Sequence, residues 1–147
     1  MPSSKVLILC VATTICGVDA LGRDTTNLIQ PAQAIERAAA LPETGITGVF
    51  SLTVKRVDKV GHTYFLDSEP DYRDHRNLAI AVSQEAATDL EKQMGASLDS
   101  AFKGKEIVVS GTARRVKIDF VLHDQPTGKY YYQTHVDVKS ASQITVR

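Results

Sequence analysis

The pattern of hydrophobic spacing changes only twice after residue 44, and that order narrows what this chain can fold into. Residues 44–83 are β-rich, residues 85–102 carry one amphipathic helical stripe, and strand-like sequence then returns to the end. Across 48–57, Phe50, Leu52 and Val54 alternate with Ser51, Thr53 and Lys55, the period of a half-buried strand. A turn at 58–61 separates it from a second strand over 62–67 (HTYFLD). The acidic loop 68–74 (SEPDYRD) leads into a third strand over 76–83. Its Leu78, Ile80 and Val82 share one face, and Asn77, Ala79 and Ala81 share the other.

The helix expected over 85–102 has Glu85 and Asp89 near its N-terminal end, where the helix dipole favours them, and Gly104 to end it. Leu90, Met94 and Leu98 recur at i, i+4 and i+8, with Ala86, Ala87, Ala101 and Phe102 beside them. Such a stripe is core packing, not a cofactor box. A fourth strand starts at Lys105. Ile107 and Val109 followed by Gly111 suggest a glycine bulge or tight bend, and the β pattern continues through 114–122. The run 124–128 (DQPTG) is a strong turn signal. A fifth strand follows over 129–138, and 140–147 can add a short final one.

The first twenty residues read as an export signal. Lys5 precedes an apolar run at 6–11, continued by small residues at 12–18, and Val18-Asp19-Ala20 offers a cleavage point after Ala20. The run is too short for a spanning helix, which needs about 20 apolar residues. A lipoprotein with Cys16 as its lipidated residue is the competing reading, although Ile15 is bulky where a small residue is expected. Both cysteines, Cys10 and Cys16, lie in this segment, so the mature chain would hold together without disulfides. Residues 21–43 form a lead-in with a short helix over 31–41 (PAQAIERAAAL), opened by Pro31. Residues 44–147 form the single folded domain. No membrane span is expected in the mature chain.

Lys and Arg total 17 against 17 Asp and Glu, a net charge of zero. That balance argues against strong non-specific nucleic-acid binding, which needs an excess of cations to neutralise phosphates. It leaves room for a local basic stripe. The four histidines, His62, His75, His123 and His135, lack zinc-site spacing. Asp71, Asp74 and His75 are ligand types that a hard cation accepts, but a solvated acidic loop explains them as well. Ser110 beside Gly111 has no accompanying base. No catalytic residue, metal site or cofactor is therefore expected.

Gly61-His62-Thr63-Tyr64-Phe65-Leu66-Asp67 resembles the second strand of OB domains of the tRNA-anticodon type. The segment 103–111 (KGKEIVVSG) resembles the opening of their fourth strand, and 140–144 (SASQI) their ending, with Ala141 where a proline is usual. The chain is also similar to OB domains of exported bacterial proteins, some attached to secreted nucleases and phosphoesterases. The resemblance covers about residues 45–146. It implies a mostly β fold: a five-stranded Greek-key OB barrel, with one α-helix between strands 3 and 4 and the short N-terminal helix added.

OB domains bind single strands by stacking bases on aromatics of strands 2 and 3, in a groove that tracks phosphates. Tyr64 and Phe65 are adjacent, so they point to opposite faces. By the resemblance Phe65 is the stacking ring and Tyr64 points inward; the alternative is a Phe65 covered by a loop or by the N-terminal helix. Lys55, Tyr72, Arg73, His75, Arg76, Lys117 and Tyr131 complete the candidate nucleic-acid-binding set. The alternative for these residues is a solvated charged face interleaved with acids. The expected function is non-catalytic binding of single-stranded DNA or RNA in the periplasm or outside the cell. The alternative is an adaptor that holds an envelope protein or a glycan on the same face.

Overall fold

The computed structural model describes residues 27–147. The export segment, both cysteines and the cleavage point after Ala20 lie outside the described residues. The described chain is mostly β, with seven strands in one sheet and three α-helices.

Helix α1 (Pro31–Ala40) begins where expected, with Pro31 in its first turn and the Gln30 N–H donating to Gln33 Oε1 at 3.0 Å. Ala34 and Ala38, one turn apart, are its buried side chains. Gly45 turns the chain into β1 (Ile46–Thr53) with a left-handed φ of +68°. Then come β2 (Arg56–Val60), β3 (Thr63–Asp67) and β4 (Leu78–Ser83). Two helices follow, α2 (Gln84–Met94) and α3 (Leu98–Phe102), and then the long strands β5 (Glu106–Leu122) and β6 (Gln125–Val138). A 3-10 turn (Ala141–Gln143) leads to β7 (Ile144–Val146). The pairing order is β1-β5-β6-β4-β3-β2, with β7 added on β5. Only β4 and β6 pair in parallel; the other strand pairs are antiparallel.

Seven strands in an open sheet replace the expected closed barrel of five, and the main reason for the count lies at Val54 and Lys55. The Val54 N–H donates to the Lys105 carbonyl at 2.9 Å, and the Lys55 N–H donates to the Asp67 carbonyl at 2.8 Å. The backbone thus changes partner between adjacent residues and splits the strand expected over 48–57. Periodicity does not register this, because Val54 stays buried across the break. As a result β1 and β2 stand at opposite ends of the pairing order, although only two residues separate them.

The single helix expected over 85–102 is also two. Ser83 caps α2 by accepting from the Ala86 N–H at 3.2 Å. Gly95, left-handed at φ +66°, stops it and donates its N–H to the Glu91 carbonyl at 2.9 Å. Glu91 Oε1 then accepts from the Leu98 N–H at 3.1 Å, which orients α3. Met94, the last residue of α2, is 43% exposed, while Leu90, Leu98, Ala101 and Phe102 are in the core.

That core joins Phe50, Leu52 and Val54 to Leu66, Leu78, Ile80, Val82, Phe102, Ile107, Val109, Val136 and Val138. Gly111 forms no bulge: it pairs in register with Gly48, and a Cβ on it would come within 2.9 Å of Val136 Cγ1. The irregularity in β5 lies between Asp119 and Val121 instead. The hairpin turn falls at His123 and Asp124, both with positive φ, so Pro126 belongs to β6 and not to the turn expected over 124–128. β5 loses β1 as a neighbour after Ala113, and β6 gains β4 only at Thr134. Residues 114–133 therefore form a two-stranded arm with which no other strand pairs among the described residues.

Candidate functional site

A groove of about 510 Å³ opens between β2 and β3 on one side and the β5–β6 arm on the other. Strand registers explain its floor. Phe65 lies opposite Ala81, and Ala79 lies beside His135. The two alanines are short enough for the flanking rings to close over them, with Phe65 and His135 centroids 5.5 Å apart. Tyr64, on the other parity of β3, packs against the core.

Arg56, Asp58, Val60 and Asp67 form the β2–β3 wall, and Ile118, Tyr131, Gln133 and His135 form the arm wall. Tyr72 closes one end. Arg56 pairs with Asp58 and sets its guanidinium carbon 5.1 Å from the Tyr72 ring centroid. Gln133 ties the site together: its amide donates to Tyr131 Oη at 2.7 Å and to the Tyr72 carbonyl at 3.2 Å. Its carbonyl oxygen lies 2.6 Å from His135 Nε2, so the imidazole donates there. Burial holds His135 below its ordinary value of 6.5, with Asp137 opposing, which keeps the ring neutral near pH 7. Burial also pushes the Tyr131 hydroxyl up from its ordinary value, so it stays uncharged while accepting from Gln133.

Asp67 is the buried carboxyl of the groove. Burial raises it above 3.8, and the Asn77 amide, donating at 2.8 Å, and the Arg56 charge oppose the rise. Among the described residues its Oδ2 has no hydrogen-bond partner. A raised folded-state value means that the folded protein holds this proton more tightly than the unfolded chain does. Its contribution to stability is complete below 3.8 and is lost as pH rises through the raised value. Asp67→Asn should therefore flatten that part of the stability profile, seen as a smaller fall in denaturant midpoint from acid to neutral pH. A profile parallel to the parent's would show that Asp67 titrates normally.

Of the residues singled out in the sequence, Phe65, Tyr72 and Tyr131 meet in this groove. Arg73 stands at its mouth, 5.4 Å from the Tyr72 ring centroid, with Nε 3.5 Å from Asp71. Lys55, His75 and Arg76 do not line it. Lys55 is bonded to Glu69 at 3.0 Å. Arg76 donates twice to Asp74, at 3.1 and 2.7 Å, and holds that carboxyl far below the usual carboxylate range. His75 points into solvent, 92% exposed. Lys117 belongs to the opposite face: it is in register with Tyr132, while Ile118 is the partner of Tyr131. Cross-strand partners share a face, so Lys117 and Tyr131 are on different sides of the arm.

Arg56, Gln133 and His135 were outside the sequence-based set. Gln133 and His135 share the parity of Tyr131, so strand alternation alone could have found them. Arg56 had no such signal, because its orientation depends on the break at Val54 and Lys55. Among the described residues, no three His, Cys, Asp or Glu side chains gather as a metal site, and no helix is long and apolar enough to cross a membrane.

No protein-family model matches the chain, and no curated protein matches it. Among solved structures, it is similar to a protein assigned as an aspartyl-tRNA synthetase from Leishmania major Friedlin, at 12% identity and a TM-score of 0.43. The match covers 88% of this chain and 22% of that one, and a likeness of this size carries no weight for fold or function.

Proposed function

We propose that this chain is an exported, non-catalytic binding protein of the OB type, which holds single-stranded nucleic acid in the groove beside β3. The observation that carries the reading is convergence. Phe65, Tyr72 and Tyr131 come from two strands and a loop to one groove, with the Arg56 guanidinium beside them. Exposed aromatic faces with an adjacent cation suit bases and their phosphates. The OB reading is supported by the motifs around Phe65 and Gly111 and by the pairing order. If β1 and β2 are counted as halves of one bent strand, β1 to β6 make five strands. Export rests on the sequence of residues 1–20 alone.

The test is fluorescence-anisotropy titration of the protein with labelled single-stranded DNA and RNA at low and high salt. Binding should weaken as salt rises. Phe65→Ala should cost about 1–3 kcal/mol of binding, the usual worth of one stacked base. Unchanged affinity in a folded variant would remove Phe65 from the site, and no binding at low salt would remove the nucleic-acid reading.

One observation favours a second reading, an adaptor for an envelope protein or a glycan. Arg56, Lys55 and Arg76 already have acidic partners, and the Gln133 amide is taken up by Tyr131, Tyr72 and His135, so the groove offers its rings. A neutral ligand would use those rings without needing free cations. Its affinity would change little with salt.

A further inference from the structure

The β5–β6 arm has a second face that the groove does not use. Strand alternation sends Arg115, Lys117, Tyr130 and Tyr132 there, while Ile118, Tyr131, Gln133 and His135 face the groove. The Arg115 guanidinium carbon lies 3.6 Å from the Tyr132 ring centroid, and Lys117 Nζ lies 4.6 Å from that of Tyr130. The two rings meet edge to face at 5.6 Å. They remain open to solvent, Tyr130 at 52% and Tyr132 at 42%.

The net charge of the chain is zero, yet this face of the arm carries Arg115 and Lys117 against Asp119. Lys117 is bonded to Asp119 at 3.1 Å, but Arg115 has no carboxylate partner among the described residues. Its guanidinium carbon lies over a ring, and among the described residues no acceptor engages its donors. Such a group can pair with a phosphate and offer its outer face to a base. The exposed ring edges and faces of Tyr130 and Tyr132 supply the next stacking positions.

We propose that this outer face of the arm is a second binding surface for single-stranded nucleic acid, with Arg115 on a phosphate and Tyr130 and Tyr132 stacking on bases. It shares its ligand class with the groove reading but none of its residues.

The experiment compares the full chain, a Tyr130→Ala/Tyr132→Ala double variant, Arg115→Gln and Phe65→Ala. Each is titrated with the same labelled single-stranded DNA across a salt series. Fold is checked by thermal melts. The double variant should bind about tenfold or more weakly at fixed salt, since both stacking positions are lost. Arg115→Gln should lower the slope of log affinity against log salt by about one. Tyr132→Phe, which keeps the ring, should bind like the parent; loss there would overturn stacking by Tyr132. Parent-like affinity in the double variant, with Phe65→Ala weakened, would overturn the arm and leave the groove standing. Weakening in the double variant with Phe65→Ala unchanged would support the arm and remove the groove. No binding by the parent at low salt would overturn both.

Discussion

Phe102→Ala should lower stability by about 3–5 kcal/mol, the usual cost of removing a large ring from a close-packed core. Phe102 is fully buried at the end of α3, in the same cluster as Leu66, Ile80 and Val138. Its cavity would be enclosed by strand residues that their ladder bonds hold in place, so little collapse is available. Met94→Ala is the matched comparison. A continuous helix over 85–102 would bury Met94 between Leu90 and Leu98, and its truncation would cost about 2–5 kcal/mol. Met94 closes α2 at 43% exposure, and the change should cost well under that, about 0.5–1 kcal/mol. Urea unfolding of the two variants beside the parent measures both. Equal losses would mean that α2 and α3 are one helix in solution.

Gly45→Ala should cost roughly 2–5 kcal/mol from two sources. The left-handed conformation disfavours a side chain by about 1–2 kcal/mol. Crowding at a packed site adds about 1–3 kcal/mol. The crowding is specific: a Cβ on Gly45 would fall 2.4 Å from the Ala113 carbonyl oxygen and 2.9 Å from Arg114 Cγ. The first of these is backbone, and Ala113 is the register partner of Ile46, so relief requires the start of β1 to move off β5. Gly95→Ala separates the two sources. Gly95 has nearly the same φ, +66°, with nothing within 4 Å of its Cβ position, so only the conformational part applies. The gap between the two melting temperatures reads the contact at Ala113. Equal shifts would show that β1 yields there without cost.

The binding predictions bear on different parts of one sheet. Phe65 reports the groove, where its ring and His135 close over Ala79 and Ala81. Tyr130, Tyr132 and Arg115 report the far side of the arm. Adjacent residues of a strand face opposite ways, so the run Tyr130-Tyr131-Tyr132 serves both surfaces at once. This is also why Lys117 leaves the set of groove residues: its neighbour Ile118 takes the position beside Tyr131.

The sequence by itself determined the kinds of element, their order and most of the core. Alternation is a property of one strand, and Phe50, Leu52, Ile80, Val82, Ile107 and Val109 are buried as their spacing requires. Proline at the start of α1 acts locally and is equally legible. Parity was enough to separate Tyr64 from Phe65. Tertiary structure decided what depends on two segments at once. The change of hydrogen-bond partner at Val54 and Lys55 turns one apparent strand into two and aims Arg56 into the groove. Register decides that small Ala79 and Ala81 lie beside Phe65 and His135, so the two rings meet over them and form a floor. Folding also spends Lys55 on Glu69, while Arg76 closes on Asp74 within its own loop, so charges that look available in the chain are not. The physical reason is common to these cases. Side-chain period follows from local backbone geometry, whereas register, pairing partner and ion pairing follow from which segments meet, and that is set by the packing of the whole fold.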